Sequence, residues 1–123
     1  MKKYRLDDYL SHMRQAARDA CSFVEGLDKD DFDTDKRTQQ AVIMNLIIIG
    51  EAVTKLMDGH IQFVNENPQI PWRNMRGMRN RIAHGYFDIN LDIVWETVQT
   101  ALPELLEQLL TVDSRDDSDT ASQ

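Results

Sequence analysis

The chain has 123 residues, of which 41% are hydrophobic and 28% charged, and a formal net charge of −7 at pH 7. That length suits a single domain with one core, and the composition excludes a fibrous or wholly disordered protein. Overall acidity argues against a protein that coats nucleic acid through an extended basic surface, and Cys21, the only cysteine, excludes an internal disulfide or a cysteine-based zinc cluster.

The N-terminus, MKKYRLDDYL, has no apolar core of a targeting signal. The longest uncharged run, Thr38 to Gly50, is too short to span a bilayer, so a cytoplasmic protein without a membrane partner is expected. Leu6, Tyr9, Leu10, Met13, Ala16, Ala17, Ala20, Cys21, Val24 and Leu27 recur at the three-and-four spacing of an amphipathic helix, which predicts a first helix from Leu6 to Leu27. Asp28 to Asp33 reads as a charged connection. Thr34 or Asp35 can cap a second helix running to about Met57, and the region of Gly59 and Pro68 breaks it. Its segment AVIMNLIIIG is apolar nearly all round, which implies burial on more than one side, in the core or against a partner subunit.

Pro71 suits the first turn of a third helix, where a missing N–H is no loss, and Gly85 is a natural stop. Asn90 can cap a fourth helix, whose apolar positions run from Leu91 to Leu110 and which Pro103 should bend by removing one internal hydrogen bond. Residues 1–112 thus read as one all-α domain, an antiparallel bundle of four main helices; residues 113–123, acidic and without an apolar anchor, read as a disordered tail.

The chemistry concentrates in the third helix and its exit. Pro71 to Phe87, PWRNMRGMRNRIAHGYF, holds four arginines, a histidine and a tyrosine, and residues 68–87 contain no acid. A positive segment in an acidic chain is a place for an anion, phosphate first. At about 100° per residue Arg76, Asn80 and His84 share a shallow stripe, while Arg79 lies about 140° from His84. Ideal helical geometry alone therefore does not bring Arg79 against His84. The length of the arginine side chain, a change of direction near Gly85, or the same helix of a second subunit are the routes that would.

Arg79, His84 and Tyr86 spell R-x4-H-x-Y, with Asn80 directly after the arginine. Together with Pro71-Trp72, the Gly77-Met78 step, the run RNRIAHGYF, Val94-Trp95, Leu102-Pro103 and Gly50-Glu51-Ala52, the pattern resembles the HEPN ribonucleases, in particular the HepT-like toxins, over nearly the whole chain. The resemblance implies a HEPN-like helical fold that dimerises, with two R-x4-H motifs meeting at a dimer cleft. It implies RNA as substrate, with no DNA partner expected, and a small nucleotidyltransferase as cognate antitoxin in a toxin-antitoxin pair of type VII kind. It also implies that this antitoxin attaches AMP to Tyr86.

Such residues suit metal-independent RNA cleavage without a cofactor, because the substrate's own 2′-hydroxyl is the nucleophile and the product is a 2′,3′-cyclic phosphate. In this reading His84 moves protons and Arg79 stabilises charge on the scissile phosphate. Asn80 positions the phosphate or the histidine ring. Arg73, Arg76 and Arg81 are further RNA contacts, and AMP on Tyr86 would add negative charge beside them and repel RNA. Glu51, an acid at the edge of the most apolar helix, needs a partner, and Arg76 or Arg79 is expected to supply it in a supporting ion pair.

The remaining candidates read as structural. His12, on the polar side of the first helix, and His60, in a loop, are expected at the surface, with no metal-ligand spacing between them and any carboxylates. Trp72, Trp95 and Cys21 are expected to pack. Two other classes fit the same chain: a non-catalytic HEPN module that binds nucleotide or a nucleotidyltransferase, and a purely structural dimerisation protein.

Overall fold

A computed structural model describes residues 5–112, and among these every regular element is helical. The elements are α1 (Leu6–Phe23), α2 (Lys29–Asp33), α3 (Lys36–Gly59), α4 (Ile61–Glu66), α5 (Trp72–His84), a 3₁₀ turn at Tyr86–Asp88, α6 (Leu91–Glu96), a π-helical turn at Thr97–Ala101 and α7 (Leu102–Leu110). The acidic tail expected from Asp113 onward lies outside the described residues.

α3 is the centre of the bundle. It packs against α1 on one side and α5 on another, and α7 closes on α1. Its fully apolar stretch is explained by this double coverage: Val42, Ile43, Leu46, Ile49, Ala52, Val53 and Leu56 are all buried. α3 reaches the length and apolar content of a membrane-crossing helix, yet half of its most apolar window is buried inside the protein, as in a core helix. Alanines 16, 17 and 20 on α1 supply little bulk, which lets α1 and α3 approach closely.

The first helix ends four residues earlier than its periodicity suggests. The chain turns after Phe23, with Gly26 at φ +80°, the left-handed region that glycine enters without steric cost. Val24 still reaches the core from this turn, which is why the apolar spacing continues past the helix end. The supposed connection at Asp28–Asp33 is instead a short helix. The Asp28 side chain accepts from Asp31 N–H, and Phe32 anchors the segment in the core against Trp95, with ring centroids 5.2 Å apart. α4 was likewise hidden in a region read as a break, and Val64 is its single buried residue.

Asp35 rather than Thr34 caps α3, accepting from Thr38 N–H at 3.1 Å and from the Thr38 hydroxyl at 2.6 Å. Asn90 caps α6, accepting from the amides of Asp92 and Ile93. The bend expected at Pro103 takes the form of a π turn one step upstream, where Leu102 N–H bonds Thr97 C=O. Proline has no N–H to offer the preceding turn, and widening that turn by one residue accommodates the loss.

Candidate functional site

Pro71 is the N-cap of α5, its carbonyl accepting from Met75 N–H at 3.1 Å, and the helix is pinned at its start by the Trp72 indole donating to Asn67 C=O at 3.0 Å. Its inner face is set by Trp72, Met75, Arg79 and Ile82, at spacings of three, four and three. Three of these are ordinary core residues. The fourth is an arginine in a position that packing would give to leucine.

What makes room for it is Gly50 on α3. A Cβ built on Gly50 would lie 2.2 Å from the Arg79 Cβ, 2.7 Å from its Cγ and 3.2 Å from Met75 C=O, so the two helices cross in contact at this point. Laid over Gly50, the Arg79 side chain runs along α3. Its Nη2 donates to Thr54 Oγ1 at 3.2 Å and stands 3.5 Å from Glu51 Oε2. Thr54 in turn donates its hydroxyl proton to Gly50 C=O at 2.8 Å, which turns its lone pairs toward the guanidinium. Arg79 Nε is buried and has no hydrogen-bond partner among the described residues. An arginine held by its stem and one terminal nitrogen, with donors to spare, is a preorganised cation for a planar or tetrahedral oxyanion.

Of the two partners considered for Glu51, the structure selects Arg79. Arg76 instead lies 3.7 Å from Asp58 and rests against the Met57 sulfur. Arg73, Asn80 and Arg81 are exposed along the outer side of α5, and none of the three makes an ion pair among the described residues. His84 closes the helix and is exposed, with no hydrogen bond to its ring among the described residues. Gly85 then ends α5, its N–H bonding Arg81 C=O, with φ at −143°, outside the left-handed region. Within one chain Arg79 is directed onto α3 while His84 faces solvent, as the 140° offset predicts. Tyr86, 47% exposed, and Phe87 stand on the turn that follows, ring centroids 6.0 Å apart at 81°.

Thr54 is the member of this candidate site that sequence reasoning missed. The available signal was an arginine at the Trp72–Met75–Arg79–Ile82 core spacing, which demands a polar partner from the helix it faces. His60, expected at the surface in a loop, is instead half-buried between α3 and α4, edge-on to Tyr9 at 6.4 Å, because the chain folds back there into α4. His12 is exposed, as expected. Trp72 is buried and Trp95 half-buried. Burial, with Glu25 nearby, pushes the Cys21 thiol up, away from the reactive thiolate. No group of three or more His, Cys, Asp or Glu side chains converges among the described residues.

Residues 13–112 match the sequence model of a family described as Ribonuclease HepT-like. Among curated proteins, the chain is 35% identical over 109 residues to one named Putative RNase MJ0127 from Methanocaldococcus jannaschii, covering 89% of this chain and 88% of that protein. It is 38% identical over 98 residues to Probable ribonuclease HepT from Thermococcus cleftensis, covering 80% and 86%. No solved structure matches the chain.

Proposed function

The chain belongs to the HepT-like ribonuclease family, and from that premise we propose that it is a metal-independent endoribonuclease whose reacting groups are Arg79 and His84. The observation that carries this reading is the placement of Arg79. A cation in a core-facing position, above a glycine and tied to Thr54 and Glu51, is expensive to bury and serves no packing purpose that leucine would not serve better.

The ribose 2′-oxygen attacks the adjacent phosphorus and its proton passes to a histidine; the P–O5′ bond breaks and the departing 5′-oxygen receives a proton. The products are a 2′,3′-cyclic phosphate and a 5′-hydroxyl end. Arg79 carries the charge that grows on the phosphoryl oxygens. Because Arg79 and His84 point apart within one chain, the site is completed in a homodimer, where the partner copy's motif faces the first across a cleft and two histidines supply base and acid. Met44 and Ile48, exposed on α3 two turns and one turn before Glu51 respectively, offer an apolar stripe for that contact. Asn80 orients the phosphate or the imidazole, and Arg73, Arg76 and Arg81 hold the flanking strand.

The same reading makes the protein a toxin restrained by a nucleotidyltransferase that adenylylates Tyr86. The hydroxyl-bearing ring is accessible, and AMP there adds negative charge within residues 68–87, a stretch that holds no acid. The decisive experiment is cleavage of total cellular RNA in excess EDTA by purified wild type and by His84→Ala, with intact mass verifying that Tyr86 is unmodified. Cleavage by wild type alone supports the reading; a folded, unmodified dimer that leaves RNA intact favours a non-catalytic binding module.

A further inference from the structure

Phe87 is 98% exposed, the most exposed large hydrophobic side chain among the described residues. It is not a loosely tethered residue. The 3₁₀ turn that carries it is closed by Asp88 N–H on Gly85 C=O at 2.9 Å, and is fixed on one side by buried Ile82 and on the other by half-buried Ile89. Tyr86 meets Phe87 edge-to-face, an arrangement that stiffens the pair and leaves at least one broad ring face open to solvent.

The surroundings say what that face is for. Phe87 is the last residue of the acid-free stretch, with Arg81 and His84 just before it and Asp88 just after. Three peptide links separate it from His84, so their Cα atoms lie within ~11 Å. Across the dimer cleft the cationic stretches of the two copies present like charges to each other, and a polyanion with aromatic rings answers both that charge and the exposed face.

Resting on the ribonuclease reading above, we propose that Phe87 is a stacking platform for one unpaired base of the RNA, next to the cleaved linkage, and that the substrate is therefore single-stranded where it enters the site. A base within a duplex has both faces occupied by its neighbours and cannot reach the ring. The acidic residue at position 88 ends the favourable path, so the strand runs from Phe87 back along α5 past Arg81.

The test uses the full chain carrying His84→Ala, so that RNA stays intact, with Phe87 further changed to Ala, Leu or Trp. Affinity is measured for one mixed-sequence RNA oligonucleotide, single-stranded and as a duplex, and size-exclusion chromatography reports the assembly state. Phe87→Ala and Phe87→Leu are expected to weaken single-strand binding by roughly five- to hundredfold, while Phe87→Trp retains it and its new indole emission is quenched by the RNA. Duplex binding should be weak and indifferent to position 87.

Binding unchanged in the alanine variant overturns the proposal. So does full affinity in the leucine variant, which would mean an apolar contact without stacking, or loss of binding that merely follows dissociation of the assembly. Cleavage of the same oligonucleotide by wild type is run alongside. Cleavage with no dependence of binding on Phe87 removes the platform alone; Phe87-dependent binding without cleavage removes the catalytic reading and leaves the platform standing.

Discussion

Arg79 lies across Gly50, so close that a methyl group on the glycine would stand 2.2 Å from the arginine Cβ. Backbone and the stem of a side chain, not a flexible tip, meet there, and neither can move without shifting α5 on α3. Gly50→Ala is therefore expected to destabilise the fold by about 1–3 kcal/mol, the usual cost of overpacking, and to lower RNA cleavage by displacing Arg79. Gly77 supplies the contrast. It is also helical, but a Cβ there meets nothing nearer than the tip of Arg81 at 3.9 Å, so Gly77→Ala should raise stability by roughly 0.5–1 kcal/mol. Thermal unfolding of the two variants side by side checks both signs.

Arg79 and His84 should separate cleanly into different kinds of loss. The His84 ring is exposed and makes no hydrogen bond among the described residues, so His84→Ala is expected to leave the melting temperature unchanged while lowering kcat by roughly 10²–10⁴. Arg79→Lys retains the charge but not the fork that engages Thr54, and should lose roughly 10²–10³ in kcat. Single-turnover cleavage together with circular dichroism melts distinguishes the two.

Glu51 contributes little to stability. The pair with Arg79 is long, 3.5 Å, and the Glu51 side chain is 53% exposed, which places it with surface ion pairs worth about 0–1 kcal/mol. Glu51→Gln should unfold within about 1 kcal/mol of wild type and cleave RNA far better than Arg79→Ala, since Thr54 still holds the guanidinium. A variant as inactive as Arg79→Ala would make Glu51 a reacting group instead of a support.

Acid should weaken the cap of α3. The Thr38 hydroxyl first, and the Thr38 amide second, hold the Asp35 carboxyl below its usual range. A folded-state value below the unfolded one means stability that is present above the unfolded pKa and is lost as pH falls through the folded one, that is, below about pH 4. Asp35→Asn removes the titration and keeps an acceptor. Urea titrations should show wild type the more stable at pH 7, with the difference closing as pH falls toward 3.

The helical bundle was legible because its main elements carry the 3.6-residue pattern at a length that strands do not reach, and because Asp35, Asn90 and Gly85 mark ends by local chemistry alone. α2 and α4 were not legible. Each has only one buried residue, Phe32 and Val64, and a single contact has no period. The end of α1 was misplaced for a related reason: Val24 is buried from a turn, and apolar spacing reports burial rather than helix.

At the site, R-x4-H-x-Y, the absence of acid from residues 68–87 and the angular separation of Arg79 from His84 are properties of the chain order itself, set by charge and by helix geometry. Tertiary structure decided the rest: that Arg79 rather than Arg76 answers Glu51, that Thr54 orients it, and that Phe87 stands uncovered on the turn after α5. Those relations depend on where α5 crosses α3, and the crossing is fixed by contact at Gly50, between residues 29 positions apart in sequence (79 − 50). Local pattern carries no term for a contact of that range; only the packed helices do.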